Sequence, residues 1–397
     1  MVLHSTRRNI LALPLALAMG AGARAGDWSA IVAEASGQEV YFNAWAGSPT
    51  INAYIGWVAE EVARRWNISL HHVKIADAAE TVRRVRDEVR ADVAAGSVDL
   101  IWINGENFQA MKRERLLFGP FAETLPNFAL VDTVGKPTTL IDFAEPVDGL
   151  ESPWGMAQLT FFGDGASIGA PPSSLAELSR FARDHAGRVS YPAPPDFHGT
   201  TFIKQVLAEL LDDRGILAKP VAPSEFDRLM APVLAWLDGF HGHLWREGRQ
   251  FPTSQAALKQ MLADGELLMA LTFNPNEPAN LVATGELPAT TIAWQHRTDT
   301  IGNSHSLATP INGRAKAAAQ IVANFLLSPE AQARKADLSV WGDPTVLDLE
   351  KLSPEERAYF DARPAPGAVL HPAPAIPEPH GSFVALIEAT WLRRYGG

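Results

Sequence analysis

The pattern of apolar and polar positions divides the chain into short apolar runs alternating with amphipathic stretches. Glu39 to Trp45 reads as a strand, and Gly47-Ser48-Pro49-Thr50 as the turn after it. From Ile51 to Trp66 the apolar positions Ile51, Tyr54, Ile55, Val58, Val62 and Trp66 recur with a helical period. A strand is predicted at Leu70–Ile75, then a charged helix from Ala78 to about Ala95. Val98–Asn104 is apolar nearly throughout, as a strand covered on both faces should be. A helix is predicted to begin near Glu106. Strand–helix–strand–helix order implies parallel strands joined by right-handed crossovers.

A stretch rich in Pro, Gly and acids, 119–153, interrupts this pattern, and Trp154–Phe162 reads as a strand leaving the first unit. The alternation then resumes. Helices are predicted at Leu175–His185 and Thr200–Leu211 and over much of 221–263, with strands at Arg188–Tyr191 and Leu267–Phe273. Thr300–Pro310 is a candidate return strand, Ala315–Leu327 a helix, and Ser328 the start of another through Ala336. Residues 364–379 hold six prolines and read as an extended strap before a last helix, Ser382–Tyr395. The expected fold is α/β, with two lobes built on mixed, mostly parallel sheets joined by crossing strands. One lobe comprises 26–157 plus about 305–345, the other 158–304, and 346–397 packs on them. A ligand is expected between the lobes, at the C-terminal ends of the strands.

The first 25 residues stand apart. Arg7 and Arg8, an apolar run from Ile10 to Met19, and Ala23-Arg24-Ala25 before Gly26 follow the grammar of a cleavable export signal. The paired arginines also fit a twin-arginine signal. The apolar run is too short to span a bilayer, which needs about 20 helical residues. This leader contains three arginines and no acid, so its removal takes the formal net charge from −11 to −14. So acidic a chain argues against nucleic acid and against anionic membranes as partners. The absence of cysteine excludes disulfides, thiol catalysis, cysteine-based zinc sites and an N-terminal lipid-modified cysteine. The expected mature protein is a soluble monomer in a periplasm-like space, with no later membrane insertion.

Three strand-end loops concentrate candidate binding groups. The first offers Trp45, Gly47 and Ser48: an aromatic face, a glycine allowing close approach, and a hydroxyl at a helix start. The second offers Asn104, Glu106 and Asn107, and the third Asn274, Asn276 and Glu277. Helix starts supply free N–H groups and a positive dipole end, although Ser, Asn and acids also serve there as ordinary caps. Asp196, Phe197 and Thr200, in the loop and helix start after Tyr191, complete the second lobe's share. Trp154 and Trp341 are candidate aromatic walls. Catalytic signals are weak. Gly165-Ala166-Ser167-Ile168-Gly169 matches a nucleophile elbow, but Pro171-Pro172 block the helix such an elbow needs. His241-Gly242-His243 lacks a third ligand at metal spacing. No cofactor or metal is expected. An exported hydrolase in the same cleft is the alternative reading.

Longer stretches carry a resemblance. Val98–Phe108 (VDLIWINGENF), Pro153-Trp154-Gly155-Met156-Ala157-Gln158, Tyr191–Phe197 (YPAPPDF), Phe273-Asn274-Pro275-Asn276-Glu277, Ala323–Ala333 (ANFLLSPEAQA) and Trp341–Val346 (WGDPTV) are similar to the solute-binding proteins of ABC importers, and in particular to the YnjB-like family. The resemblance runs from residue 40 to the C-terminus. It departs at Ala46-Gly47, where the family has Gly-Gly. It implies a periplasmic binding protein of type II fold that delivers a solute to ABC permease subunits. Relatives of this fold take thiamine, polyamines, ferric iron or small anions. The residues themselves leave two solutes open. Trp45, Trp154 and Phe197 with Glu106, Asp196 and Glu277 would cage an organic cation. Helix starts at Ser48, Asn107 and Thr200 would instead hold an anion. No Arg or Lys lies within the three loops, which favours a cation or a neutral solute; Lys112 and Lys204 weigh against that.

Overall fold

The computed structural model describes residues 25–360, 365–369 and 373–396. The expected export leader, residues 1–25, lies outside the described residues except for Ala25, which opens a helix at Ala25–Ala35. In chain order the strands are β1 (Glu39–Trp45), β2 (Ser69–Ile75), β3 (Leu100–Ile103), a short hairpin of β4 (Ile141–Asp142) and β5 (Glu145–Pro146), then β6 (Glu151–Gln158), β7 (Thr160–Asp164), β8 (Met269–Thr272), β9 (Thr291–Trp294), β10 (Thr300–Ala308) and β11 (Ala375–Pro377).

Six of these make one mixed sheet, in the order β11-β10-β3-β1-β2 with β6 also on β10. β1 pairs in parallel with β2 and β3, as the strand–helix alternation predicts. β10 is antiparallel to β3 and β6 and parallel to β11. Gly302 pairs with both Gln158 and Pro377, and Ser306 with both Pro153 and Ile103. A strand has two edges, so β6 takes one edge of β10, while β3 and β11 share the other. The second sheet, β8-β7-β9, is antiparallel in both pairings.

The expected strand at Trp154–Phe162 is two strands, one in each sheet. The break falls at Leu159, whose N–H donates to the Ile301 carbonyl at 2.9 Å. The outgoing crossing and the return crossing into β10 therefore run side by side. Arg188–Tyr191 is not a ladder strand. It is extended, but its carbonyls serve two unrelated segments: Arg188 O accepts from Leu268 N–H and Val189 O from Trp245 N–H. The helix expected to reach Ala95 stops at Arg90, because the chain turns back through Asp92 at φ 54° and Ser97 donates its N–H and hydroxyl to Glu88.

Two main cores result. Around the mixed sheet lie Phe42, Tyr54, Val58, Val62, Trp154, Leu307, Ile321, Phe325 and Trp341. The helix Pro49–Trp66 faces this core with Ile51, Tyr54, Ile55, Val58 and Val62; Pro49 starts it and Asn67, left-handed at φ 57°, ends it. Around the antiparallel sheet lie Phe161, Phe162, Leu178, Phe202, Val206, Phe226, Leu237 and Leu271. Phe383, Ile387 and Trp391 of the last helix, Ser382–Tyr395, belong to this second core, whereas β11 belongs to the mixed sheet. The C-terminal segment thus bridges both units. No helix among the described residues is long and apolar enough to cross a membrane.

Candidate functional site

At the end of β1, Trp45 is 41% exposed although its neighbour Ala44 is buried. Its ring lies over Gly47 so closely that a Cβ there would sit 2.1 Å from Trp45 Cζ2. Ser48 precedes the helix Pro49–Trp66 but does not cap it; its hydroxyl meets that of Thr50 at 2.8 Å instead. At the end of β3, Asn104 precedes the helix Gly105–Arg113 and likewise makes no side-chain cap. Gly105 has φ +62°, a left-handed conformation that favours glycine, and its N–H donates to Asp142 Oδ2 at 2.6 Å. This bond aims the first turn, placing Glu106 outward with Asn107 donating to it at 3.3 Å.

Facing this end of the mixed sheet is the helix Phe197–Leu210. Asp196 caps it, accepting from His198 N–H at 2.9 Å and Gly199 N–H at 3.2 Å, and also receives Gln255 N–H at 3.3 Å. Burial pushes the Asp196 carboxyl up, but His198 and these N–H donors outweigh it and hold the group below its ordinary range. Asp196 is therefore a cap to two helix starts. Phe197, the next residue, is 38% exposed and packs edge-on against Phe273. Thr200 is buried and donates its hydroxyl to Glu388 Oε1 at 3.0 Å. One turn further, Lys204 is buried with its ammonium 2.9 Å from Glu378 Oε2, 4.6 Å from the centre of the Phe143 ring and 5.6 Å from that of Phe197. Phe143 comes from the β4–β5 hairpin and Glu378 from the residue after β11.

This is an acid-rich place. Burial raises the Glu378 carboxyl above its usual range, with Lys204 opposing and Glu106 adding to the rise. Burial likewise raises Glu388, with Thr200 and Lys204 opposing and Glu106 and Asp77 adding to the rise. Burial raises Asp142 well above its ordinary value, against the bond from Gly105. Behind it, Glu151 is also raised well above, by burial and by Asp142. Lys204 is the basic group that Asp142, Glu378 and Glu388 share, whereas Glu151 has Lys112. Glu106 and Glu388 form no ion pair among the described residues. Of this constellation sequence reading had named Glu106, Phe197 and Thr200, and Lys204 only as a counterweight. It missed Phe143, Glu378, Glu388 and Asn303, which lie in the acid- and proline-rich stretches, in the last helix and within β10. A carboxylate beside prolines is the only signal Glu378 offers.

The third predicted loop meets the mixed sheet elsewhere. Asn274 Nδ2 donates to Trp341 O at 3.4 Å, Asn276 Nδ2 to Gly342 O at 2.7 Å, and Asn280 Nδ2 also to Trp341 O. These amides tie the helix Glu277–Ala283 to the loop after the helix Pro329–Ala336. Glu277 is occupied within its own unit by Lys259 and Gln255. Trp154 corrects a sequence expectation: it has no exposed surface, and its ring is enclosed by Trp102, Trp341, Phe42 and Tyr54. Trp341, 4% exposed, stacks on His305, which pairs with Asp343 at 2.9 Å. Both tryptophans are walls of the core around the mixed sheet.

The catalytic signals gain nothing. Ser167 donates to Asp164 at 3.1 Å in a four-residue helix. His241 is buried against the Tyr191 hydroxyl at 2.7 Å. No group of three metal-ligating side chains occurs among the described residues. A surface hollow of about 220 Å³ beside Asp164, Arg188, Leu268 and Thr291 shares no residue with the cleft.

Comparison with known proteins adds the following. The family model described as bacterial extracellular solute-binding protein matches residues 67–356. Protein YnjB of Escherichia coli (strain K12) is 44% identical over 94% of this chain and 95% of its own length. An extracellular solute-binding protein from Bordetella parapertussis superposes with a TM-score of 0.65 at 11% identity, over 90% of this chain and 99% of that one. The periplasmic binding protein AfuA from Actinobacillus pleuropneumoniae, solved with fructose-6-phosphate, superposes with a TM-score of 0.60 at 12% identity, over 91% and 99%.

Proposed function

The chain belongs to the bacterial extracellular solute-binding proteins, and from that premise we propose that it captures a small organic cation, such as thiamine or a polyamine, between two lobes. The mixed sheet and the antiparallel sheet are the two lobes, divided near Gln158 and again near Thr300. The paired crossings at Leu159 and Ile301 are the hinge, and closure over the solute forms the surface that ABC permease subunits recognise. The protein does this as a monomer in the periplasm, after removal of residues 1–25 by the general or the twin-arginine route. No covalent step is required.

One observation carries the cation reading: Glu106 and Glu388 form no ion pair among the described residues, while Trp45 at the end of β1 and Phe197 at the start of its helix keep exposed rings. An ammonium desolvated against such faces gains about 0.5–2 kcal/mol from each ring it contacts, and carboxylate pairing supplies orientation. Calorimetric titration with thiamine, putrescine and spermidine tests this; no heat and no rise in melting temperature with any of them would sink it. A second reading has its own support. The helices after Ser48 and Asn104 have uncapped starts, which suit an anion. Titration with inorganic phosphate and fructose-6-phosphate separates the two.

A further inference from the structure

The family match ends at residue 356, yet two carboxyls of the cleft come from beyond it. Glu378 follows β11, and Glu388 stands on the helix Ser382–Tyr395. Their arrival is built into the sheet. Ile103 pairs with Ser306 and Pro377 with Gly302, on the same edge of β10. β3 and β11 run in opposite directions there, so Asn104 and Glu378 approach each other along residues 303–305. Asn303 sits in that gap. It is 3% exposed, its Nδ2 donates to Glu378 Oε1 at 3.3 Å, and its Oδ1 is buried with no partner. A buried acceptor left unpaired costs about 1–3 kcal/mol, so the position is suited to a donor that arrives with a ligand. Lys204 shows what the surroundings accept: an ammonium against a carboxylate and two aromatic faces. Its ion pair is with Glu378, which leaves Glu106 and Glu388 without one among the described residues.

We propose that the C-terminal segment is a working part of the solute site: Glu388, with Glu106 across from it, receives an amine of the solute, and Asn303 Oδ1 accepts one of its N–H groups. The ligand class is an aliphatic amine with N–H donors rather than a quaternary ammonium. This rests on the cation reading above and adds to it the contribution of residues 375–395.

The test is calorimetry of the full chain with putrescine, spermidine and choline, on the native protein and on Glu106→Gln, Glu388→Gln and Leu392→Ala. Leu392 is 45% exposed on the same helix and controls for general damage to it. Because the lost contact is charge-assisted, both Gln variants should bind the amines at least about tenfold more weakly, with unliganded melting temperatures within about 2 °C of native. Leu392→Ala should bind as the native protein does, and choline should bind at least about tenfold more weakly than putrescine. Native affinity in Glu388→Gln alongside a loss in Glu106→Gln overturns the role of the C-terminal segment and leaves the cation reading standing. Choline binding as tightly as putrescine overturns the role of Asn303. No binding of any amine by the native protein overturns both readings. Thr200→Val, which removes the hydroxyl that positions Glu388, should give a smaller loss than Glu388→Gln; native affinity in it alone overturns that positioning role.

Discussion

Lys335 is wholly buried, with its ammonium 2.5 Å from Asp343 Oδ2. Burial pushes the Asp343 carboxyl up, yet Lys335 and His305 together bring it below its ordinary value. Lys335→Met leaves that buried carboxylate with His305 alone, so it should lower the unfolding free energy in urea by about 3–5 kcal/mol. Gly47→Ala should do the opposite kind of damage. The added Cβ displaces the Trp45 ring, which is exposed and free to swing, so stability should change by no more than about 0.5 kcal/mol while solute affinity falls. His241 gives a pH signature. Trp391 Nε1 donates to the Tyr191 hydroxyl, which keeps its own proton for His241 Nε2. The imidazole is therefore neutral, and burial lowers its pKa from 6.5 to about 4. A depressed histidine favours the folded state above the unfolded pKa, and that stability is lost as pH falls from 6.5 through 4. The loss should be about 3 kcal/mol, seen as a fall in unfolding free energy between pH 7 and pH 4 that His241→Phe flattens. Residue types were legible here, but pairings were not: Asp343 and His305 lie 38 positions apart, and nothing in either neighbourhood announces the other.

Among elements, periodicity located the helices because one buried face imposes its spacing whatever lies opposite. Ser382–Tyr395 and β1 coincide with their expected limits. Strands were harder wherever a run changes partners. Trp154–Phe162 is one apolar run in sequence and two strands in space, because an apolar residue reads the same whichever sheet it enters. Asp196 holds two elements together, at the starts of Phe197–Leu210 and Gln255–Ala263. Asp196→Ala should cost about 1–2 kcal/mol, measured by denaturant unfolding, and should weaken solute binding because Phe197 is its neighbour. Sequence had given Asp196 to the solute; the structure employs its oxygens on backbone N–H groups.

The molecule as a whole is held by a chain that crosses between its two units and then ties them again from its end. β11 extends the mixed sheet, while Phe383, Ile387 and Trp391 fill the core of the other unit. Trp391→Ala should therefore cost about 3–5 kcal/mol, seen as a lower denaturation midpoint. A chain ending at residue 374 should lose cooperative unfolding of the antiparallel unit, followed by circular dichroism. The sequence by itself determined the α/β alternation, the lack of disulfides, the three polar strand-end loops and the family, since each rests on local spacing or on residue identity in contiguous stretches. Only the tertiary structure decided that Trp154 is enclosed, that Glu277 is already paired, and that Lys204, Glu378 and Glu388 meet Glu106 and Phe143. Those facts depend on how the elements pack: on which edge of β10 each strand takes, on where the last helix lies, and on the approach of the helices Gln255–Ala263 and Glu277–Ala283. These contacts join residues from 18 to more than 180 positions apart, and a linear pattern of apolar and polar positions does not encode them.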